Sequence, residues 1–176
     1  MIYTMEMMEP IFVFVDRLYG VKQSAIHHPE GCVLTHTIQV TNLAFRETTD
    51  TDMILAAMLH DIGKYENSHG HEQLAVEWLE PFCSVKTLWL IEHHMRIWYY
   101  LFGSMKKIGK CKEIAGHPWL PDLIQLARWD YAGRRPGHRP RYDKLVICDR
   151  LNKAAMEYFG AKRKDTEAEP CGLNKW

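Results

Sequence analysis

Net charge is the first thing this sequence lacks. Its 22 Lys and Arg stand against 22 Asp and Glu, so no global field draws the chain toward nucleic acid or a membrane surface. A cysteine framework is also missing. Cys32, Cys83, Cys111, Cys148 and Cys171 are odd in number, scattered and without a CxxC pair, which argues against a disulfide scaffold or a cysteine zinc site and for a reducing compartment. No apolar run approaches the ~20 residues of a membrane span, so no membrane association is expected. The opening MIYTMEMMEP has neither a basic n-region nor a small-residue cleavage site; no secretory signal is expected, and the expected location is the cytoplasm. Strand alternation is nearly absent, as are repeats and low-complexity blocks.

What remains is helical pattern. The 176 residues are 47% apolar and 25% charged, enough for one domain with a real core. Apolar periodicity and its punctuation predict helices over residues 11–19, 33–46, 53–60 and 72–79. Another runs from a Ser84 cap to about residue 98. One over 101–114 is broken near Gly103 and Gly109. One over 123–131 is led by Pro121, and the last covers 143–159. Gly63 is expected to close the third helix. Residues 20–31 and 133–141 read as loops, and His28, Pro29 and Glu30 as a fixed turn. The expectation is an all-α, single-domain bundle over residues 1–160, followed by a polar tail over 161–176 that frays.

The sharpest local feature is the run His60-Asp61-Ile62-Gly63-Lys64. Adjacent helical side chains point about 100° apart, so a His-Asp doublet converges on one ion only at a helix end, with the ion over the axis. The other ligands must come from other helices: His36 lies mid-helix on the preceding element, and Asp130 ends a later one. Two His and two carboxylates suit a divalent transition metal such as Mn, Fe, Co, Ni or Zn.

The segments LYGVKQSAIHHPEGCVLTHTIQV, LAAMLHDIGK, GHEQLA, IEHHMR and LARWDYAGR, in this order, resemble the HD phosphohydrolase superfamily. They are most similar to the HD domain appended to bacterial tRNA nucleotidyltransferases, over residues 18–134. The resemblance implies that His36, His60, Asp61 and Asp130 hold the first metal. It places His71 and His94 in the same pocket, where a second ion bridged by Asp61 is bound in two-metal members; His93 is an alternative or additional ligand. No nucleotidyltransferase domain precedes the motif in these 176 residues, so tRNA end-building is not expected of them. The cyclic-dinucleotide phosphodiesterase branch also has a Lys after the doublet, but its GYP tripeptide is absent here.

Metal-activated water would then attack a phosphomonoester or phosphodiester of a nucleotide or RNA end, for example a 2′,3′-cyclic phosphate. Lys64 and Arg134 would hold phosphate oxygens, and His71 or His94, where not a ligand, would protonate the leaving alkoxide. The rivals are a nucleoside triphosphate or cyclic-dinucleotide hydrolase, and a non-catalytic metal-bound nucleotide- or RNA-binding module. No protein partner is implied. Arg135, His138, Arg139 and Arg141 are expected to be a solvated loop. Lys106, Lys107, Lys110 and Lys112 form a second basic cluster. Trp98, Tyr99, Tyr100, Trp119 and Trp129 are expected in the core rather than stacked on a base. No function is expected of His27, His69, His117 or His138.

Overall fold

The computed structural model describes residues 2–167. The helices run α1 (Met5–Asp16), α2 (Val33–Glu47), α3 (Thr51–Leu59), α4 (His71–Leu79), α5 (Val85–His93), α6 (Arg96–Leu101), α7 (Ile108–Ala115), α8 (Leu120–Ala132) and α9 (Lys144–Glu167), with a tight 3₁₀ turn at Ile62–Tyr65. Among the described residues there is no strand, only an isolated bridge between Lys22 and Cys32. The all-α expectation is met.

The centre of the fold is α3. Every residue from Met53 to Leu59 is buried, as a helix that is apolar all round must be. It packs against α2, α5, α8 and α9. Met53, Ile54, Leu55, Met58 and Leu59 each contribute about 1.5–3 kcal/mol by leaving water, before the entropy cost of ordering. Its entry is fixed by Asp50, whose carboxylate accepts from the Asp52 N–H. Lys86 on α5 pairs with both Asp50 and Asp122 at 2.7 Å, tying the starts of α3, α5 and α8 together. The consequence for the site is that the exit of α3, at His60 and Asp61, is delivered into the middle of the bundle.

Several boundaries differ from the sequence expectation. α1 begins at Met5 rather than residue 11, because the Thr4 hydroxyl accepts from the Met7 N–H and Met8 joins the buried face of Ile11, Phe12 and Val15. Pro10 is tolerated inside the helix on its exposed side, where water can take the carbonyl that its missing N–H leaves unpaired. The Ser84 helix stops at His93, and residues 96–101 form a separate short helix. Gly103 does break the chain, at φ 64°, whereas Gly109 sits inside α7. α9 continues past residue 160 to Glu167; the rest of the expected tail lies outside the described residues. Gly63 is no left-handed cap. A Cβ there would stand 2.1 Å from the His71 carbonyl oxygen, so its role is to let α4 approach the doublet.

Candidate metal centre

Five elements converge on Asp61. It follows the last turn of α3 and is buried. Oδ1 faces α4 and α5, at 3.1 Å from His71 Nε2 and 3.7 Å from His94 Nε2. Oδ2 faces the other way, at 3.4 Å from His60 Nε2 and 3.8 Å from His36 Nε2. Asp130, in the last turn of α8, places Oδ1 3.0 Å from His36 Nε2. In each of the triads His36–His60–Asp130 and Asp61–His71–His94, one atom per residue lies within 4.8 Å of the others.

The ring tautomers are set by the backbone. His60, His71 and His94 each direct Nδ1 to the carbonyl oxygen three residues earlier: Ala57 O at 3.0 Å, Ser68 O at 3.0 Å and Ile91 O at 2.7 Å. A carbonyl only accepts, so each Nδ1 carries the proton and each Nε2 has a lone pair to offer. His71 Nε2 and His94 Nε2 are 3.1 Å apart. Two lone pairs at that distance repel, so a positive charge belongs between them, either a proton or a cation. His60 Nε2 is buried with no hydrogen-bond partner, and His36 Nε2 is buried with no well-aligned hydrogen bond although Asp130 Oδ1 stands 3.0 Å away. Orphaned imidazole nitrogens flanked by carboxylates fit a divalent transition metal.

The HD-domain family profile matches residues 33–134, more than half of the chain. The chain belongs to the HD domain family. HD domains bind divalent metals, and these triads supply the donor types such an ion requires. Three proteins named "Multifunctional CCA protein" are similar to this HD chain. That of Thioalkalivibrio sulfidiphilus is 35% identical over 80 residues, 42% of this chain and 20% of that protein. That of Methylococcus capsulatus is 36% identical over 80 residues, 42% and 19%. That of Halorhodospira halophila is 37% identical over 70 residues, 36% and 17%. The match thus spans about one fifth of these relatives' length.

The electrostatics of this HD centre are those of packed, opposed charges. Burial works against ionisation of Asp61, but His60, Lys64 and His71 outweigh it and hold its carboxyl well below the usual range. Asp130 is likewise lowered, burial being overcome by His36 first. Burial would depress His36, yet Asp130 and Glu30 raise it to about 9. His71 is raised, Asp61 overcoming its burial, while His94 is lowered, chiefly by burial. A nitrogen cannot hold a proton and a metal at once. Metal uptake by His36 is therefore opposed by protons below about pH 9, the raised His71 opposes it in the same direction, and apparent affinity is expected to climb with pH, about tenfold per unit for each proton displaced. Competition with a chromophoric chelator at pH 6.5, 7.5 and 8.5 measures it. An affinity flat across that range would show that neither imidazole gives up a proton on loading.

Lys64 and Arg134, expected on phosphate, both sit beside the carboxylates. Lys64 Nζ is 2.7 Å from Asp61 Oδ2 and donates to Gln23 Oε1 at 3.0 Å. Arg134 Nη2 lies 3.0 and 3.1 Å from the two Asp130 oxygens. Both line a cavity of about 560 Å³ that opens over Asp61, His94 and Asp130. Its opposite wall is apolar: Met95, Trp98, Tyr99, Phe102 and Tyr131. This corrects the core expectation for Tyr99, which is exposed; Trp98 lines the cavity while packing against the core. Trp129 is buried and donates to Glu47 at 2.8 Å, Trp119 packs on Trp89, and Tyr100 packs against the core. His93 joins neither triad; its Nδ1 donates to Trp89 O and its ring stacks on Trp89 at 4.4 Å. Arg135, Arg139 and Arg141 are exposed, as expected for a solvated loop.

Two residues were missed. The Glu30 side chain is buried, and its Oε1 lies 2.9 Å from both His28 Nδ1 and His36 Nδ1. The supposed fixed turn therefore supplies the carboxylate behind His36, and His28 lines the cavity with its pKa lowered to about 4 by burial and by Lys64. An acid six residues before His36, in a turn with His28 and Pro29, was the available clue.

Proposed function

We propose that this HD domain is a metal-dependent phosphohydrolase acting on a phosphomonoester or phosphodiester of a nucleotide or RNA end, with a 2′,3′-cyclic phosphate or a nucleoside monophosphate as examples. One observation carries the reading. Asp61 belongs to one imidazole–carboxylate triad and turns its second oxygen to the histidines of the other, at the floor of a cavity whose rim holds Lys64 and Arg134. His36, His60, Asp61 and Asp130 would hold one ion, and Asp61, His71 and His94 a second. A divalent ion bound there supplies Lewis acidity, acidifying water and offsetting charge on phosphate oxygens.

The protein's own groups account for positioning. Glu30 faces His36 Nδ1 and turns the opposite ring nitrogen toward Asp130, as carboxylates behind metal-binding imidazoles do. Arg134 offers a planar fork to phosphate oxygens. Lys64, held by Asp61 and Gln23, offers a point charge. The apolar wall keeps bulk water from the reacting phosphate, which strengthens each of these contacts. The location that suits this chemistry is the cytoplasm.

The test is a panel of nucleoside 2′,3′-cyclic phosphates, monophosphates and triphosphates, cyclic dinucleotides and an aryl phosphodiester, assayed with Mn, Fe, Co, Ni and Zn. Turnover of cyclic phosphates or monophosphates is expected. Triphosphate or cyclic-dinucleotide preference would redirect the reading within the fold. Inertness with every metal, alongside nucleotide binding, would replace it with a binding module. Elemental analysis adds an independent check: His94→Ala is expected to lower metal content from two ions per chain to one. Unchanged content would remove His94 from the ligand set.

A further inference from the structure

The cavity over Asp61 does not end at its aromatic wall. A second cavity of about 330 Å³ is lined by Arg96, Tyr99, Ser104, Met105, Lys106, Lys107 and Lys110. Tyr99 and Ser104 line both, so the two meet along one edge at the turn between α6 and α7. The charge there is one-signed. Between Glu92 and Glu113 the chain has no Asp or Glu, but it has Arg96, Lys106, Lys107, Lys110 and Lys112. The lysines are exposed, and no ion pair among the described residues involves Lys106, Lys107 or Lys110. A chain of zero net charge therefore concentrates unpaired cations at the outlet of its candidate metal site. Between the two lies a surface of π-faces: Tyr99 and Phe102 are 57% and 75% exposed, and the Trp98 and Phe102 rings stack at 5.9 Å.

A single nucleotide would leave this second cavity unused. Its one phosphate would sit at the triads and its base against the aromatic wall, with nothing anionic left for the lysines. An imidazole–carboxylate centre, then ring faces, then phosphate-seeking lysines matches the order of groups along a strand: terminal phosphate, base, next phosphates. Aromatic platforms beside a cationic track are how single strands are held without sequence readout.

Resting on the phosphohydrolase reading for what happens at the triads, we propose that the substrate is a short single-stranded oligonucleotide. Its terminal phosphate enters over Asp61, its first base stacks on the Trp98–Phe102 face, and its following phosphates lie on Lys106, Lys107 and Lys110.

Fluorescence anisotropy on the metal-loaded full chain tests this, with labelled tetrauridylate as probe and uridine 3′-monophosphate, tetrapolyphosphate and a short RNA duplex as competitors. Tetrauridylate is expected to bind at least about tenfold tighter than the mononucleotide. The Lys106→Ala/Lys107→Ala/Lys110→Ala variant is expected to lose most of that preference and to flatten the log–log salt slope by about two. Phe102→Ala is expected to weaken tetrauridylate severalfold with the salt slope kept. Equal binding of mononucleotide and tetranucleotide would overturn the proposal, as would an unaltered triple variant. Tetrapolyphosphate or duplex competing better than tetrauridylate would overturn it by showing that charge or helical shape suffices. Failure of the hydrolase reading has a different signature: no phosphate ester is turned over, while the tetranucleotide preference and its lysine dependence persist.

Discussion

Asp61→Asn is expected to remove bound metal and phosphoester turnover together, the second by roughly a thousandfold or more, while the helical circular dichroism spectrum is kept. The substitution preserves shape and removes one charge. That charge sits between four imidazoles and Lys64, with one oxygen toward each triad. Among the described residues no other carboxylate reaches both sides: Asp130 serves His36, and Glu30 stands behind it. If Asp61 holds an ion on each side, an amide in its place would offer neither with its charge, so loss of both ions is expected rather than of one. Elemental analysis and the substrate panel read the two losses separately. Retention of metal and activity in the same sample would show that Asp61 is not the shared ligand. Loss of activity with both ions retained would move its role from holding metal to acting on substrate.

Gly63→Ala is expected to be among the most damaging single-methyl additions in the chain. The new Cβ would fall 2.1 Å from the His71 carbonyl oxygen, 2.8 Å from its carbon and 2.9 Å from its Cα. All three are backbone atoms, so no side chain can swing aside. Either the 3₁₀ turn or the start of α4 must move. Overpacking of this kind costs about 3 kcal/mol or more, which for a chain of this size lowers the melting temperature by about 10 °C. Because His71 is the first residue of α4, its distance from Asp61 changes with the same shift, and metal content is expected to fall as well. Gly109→Ala is the control. It lies inside α7 with nothing within 4 Å of a new Cβ, and helix propensity predicts a gain of up to about 1 kcal/mol. A Gly63→Ala variant as stable as the parent would show that α4 does not press on the turn.

The clustering of these residues was legible because motif and order survive folding. His36, His60 and Asp130 form one cluster and Asp61, His71 and His94 another, the facing atoms of each lying within 4.8 Å, and the choice between His93 and His94 needed only the direction of one turn of α5. The rest was hidden for physical reasons. Glu30 reaches His36 because Gly31 takes φ 80° and the Lys22–Cys32 bridge folds the loop back over α2, a tertiary event with no periodic trace. The stop at His93 has no Gly or Pro to announce it. Tyr99 looks like a core residue in any hydrophobicity count, and only the exposed edge of α6 makes it part of a wall. The extension of α9 follows from good helix formers in a polar segment, whose polarity reads equally as a tail.

The three imidazoles that point Nδ1 at the carbonyl three residues behind them have a consequence for anyone wishing to build such a centre elsewhere. His60, His71 and His94 each bring their own aiming device, made of one turn of their own backbone. A designer who copies those turns copies the ring orientation without copying the neighbours. His36 is the exception, since its ring is faced by Glu30 from a distant loop. In a transplanted version three corners of the site are portable as helix ends, and the fourth travels only if the loop from Val21 to Cys32 goes with it.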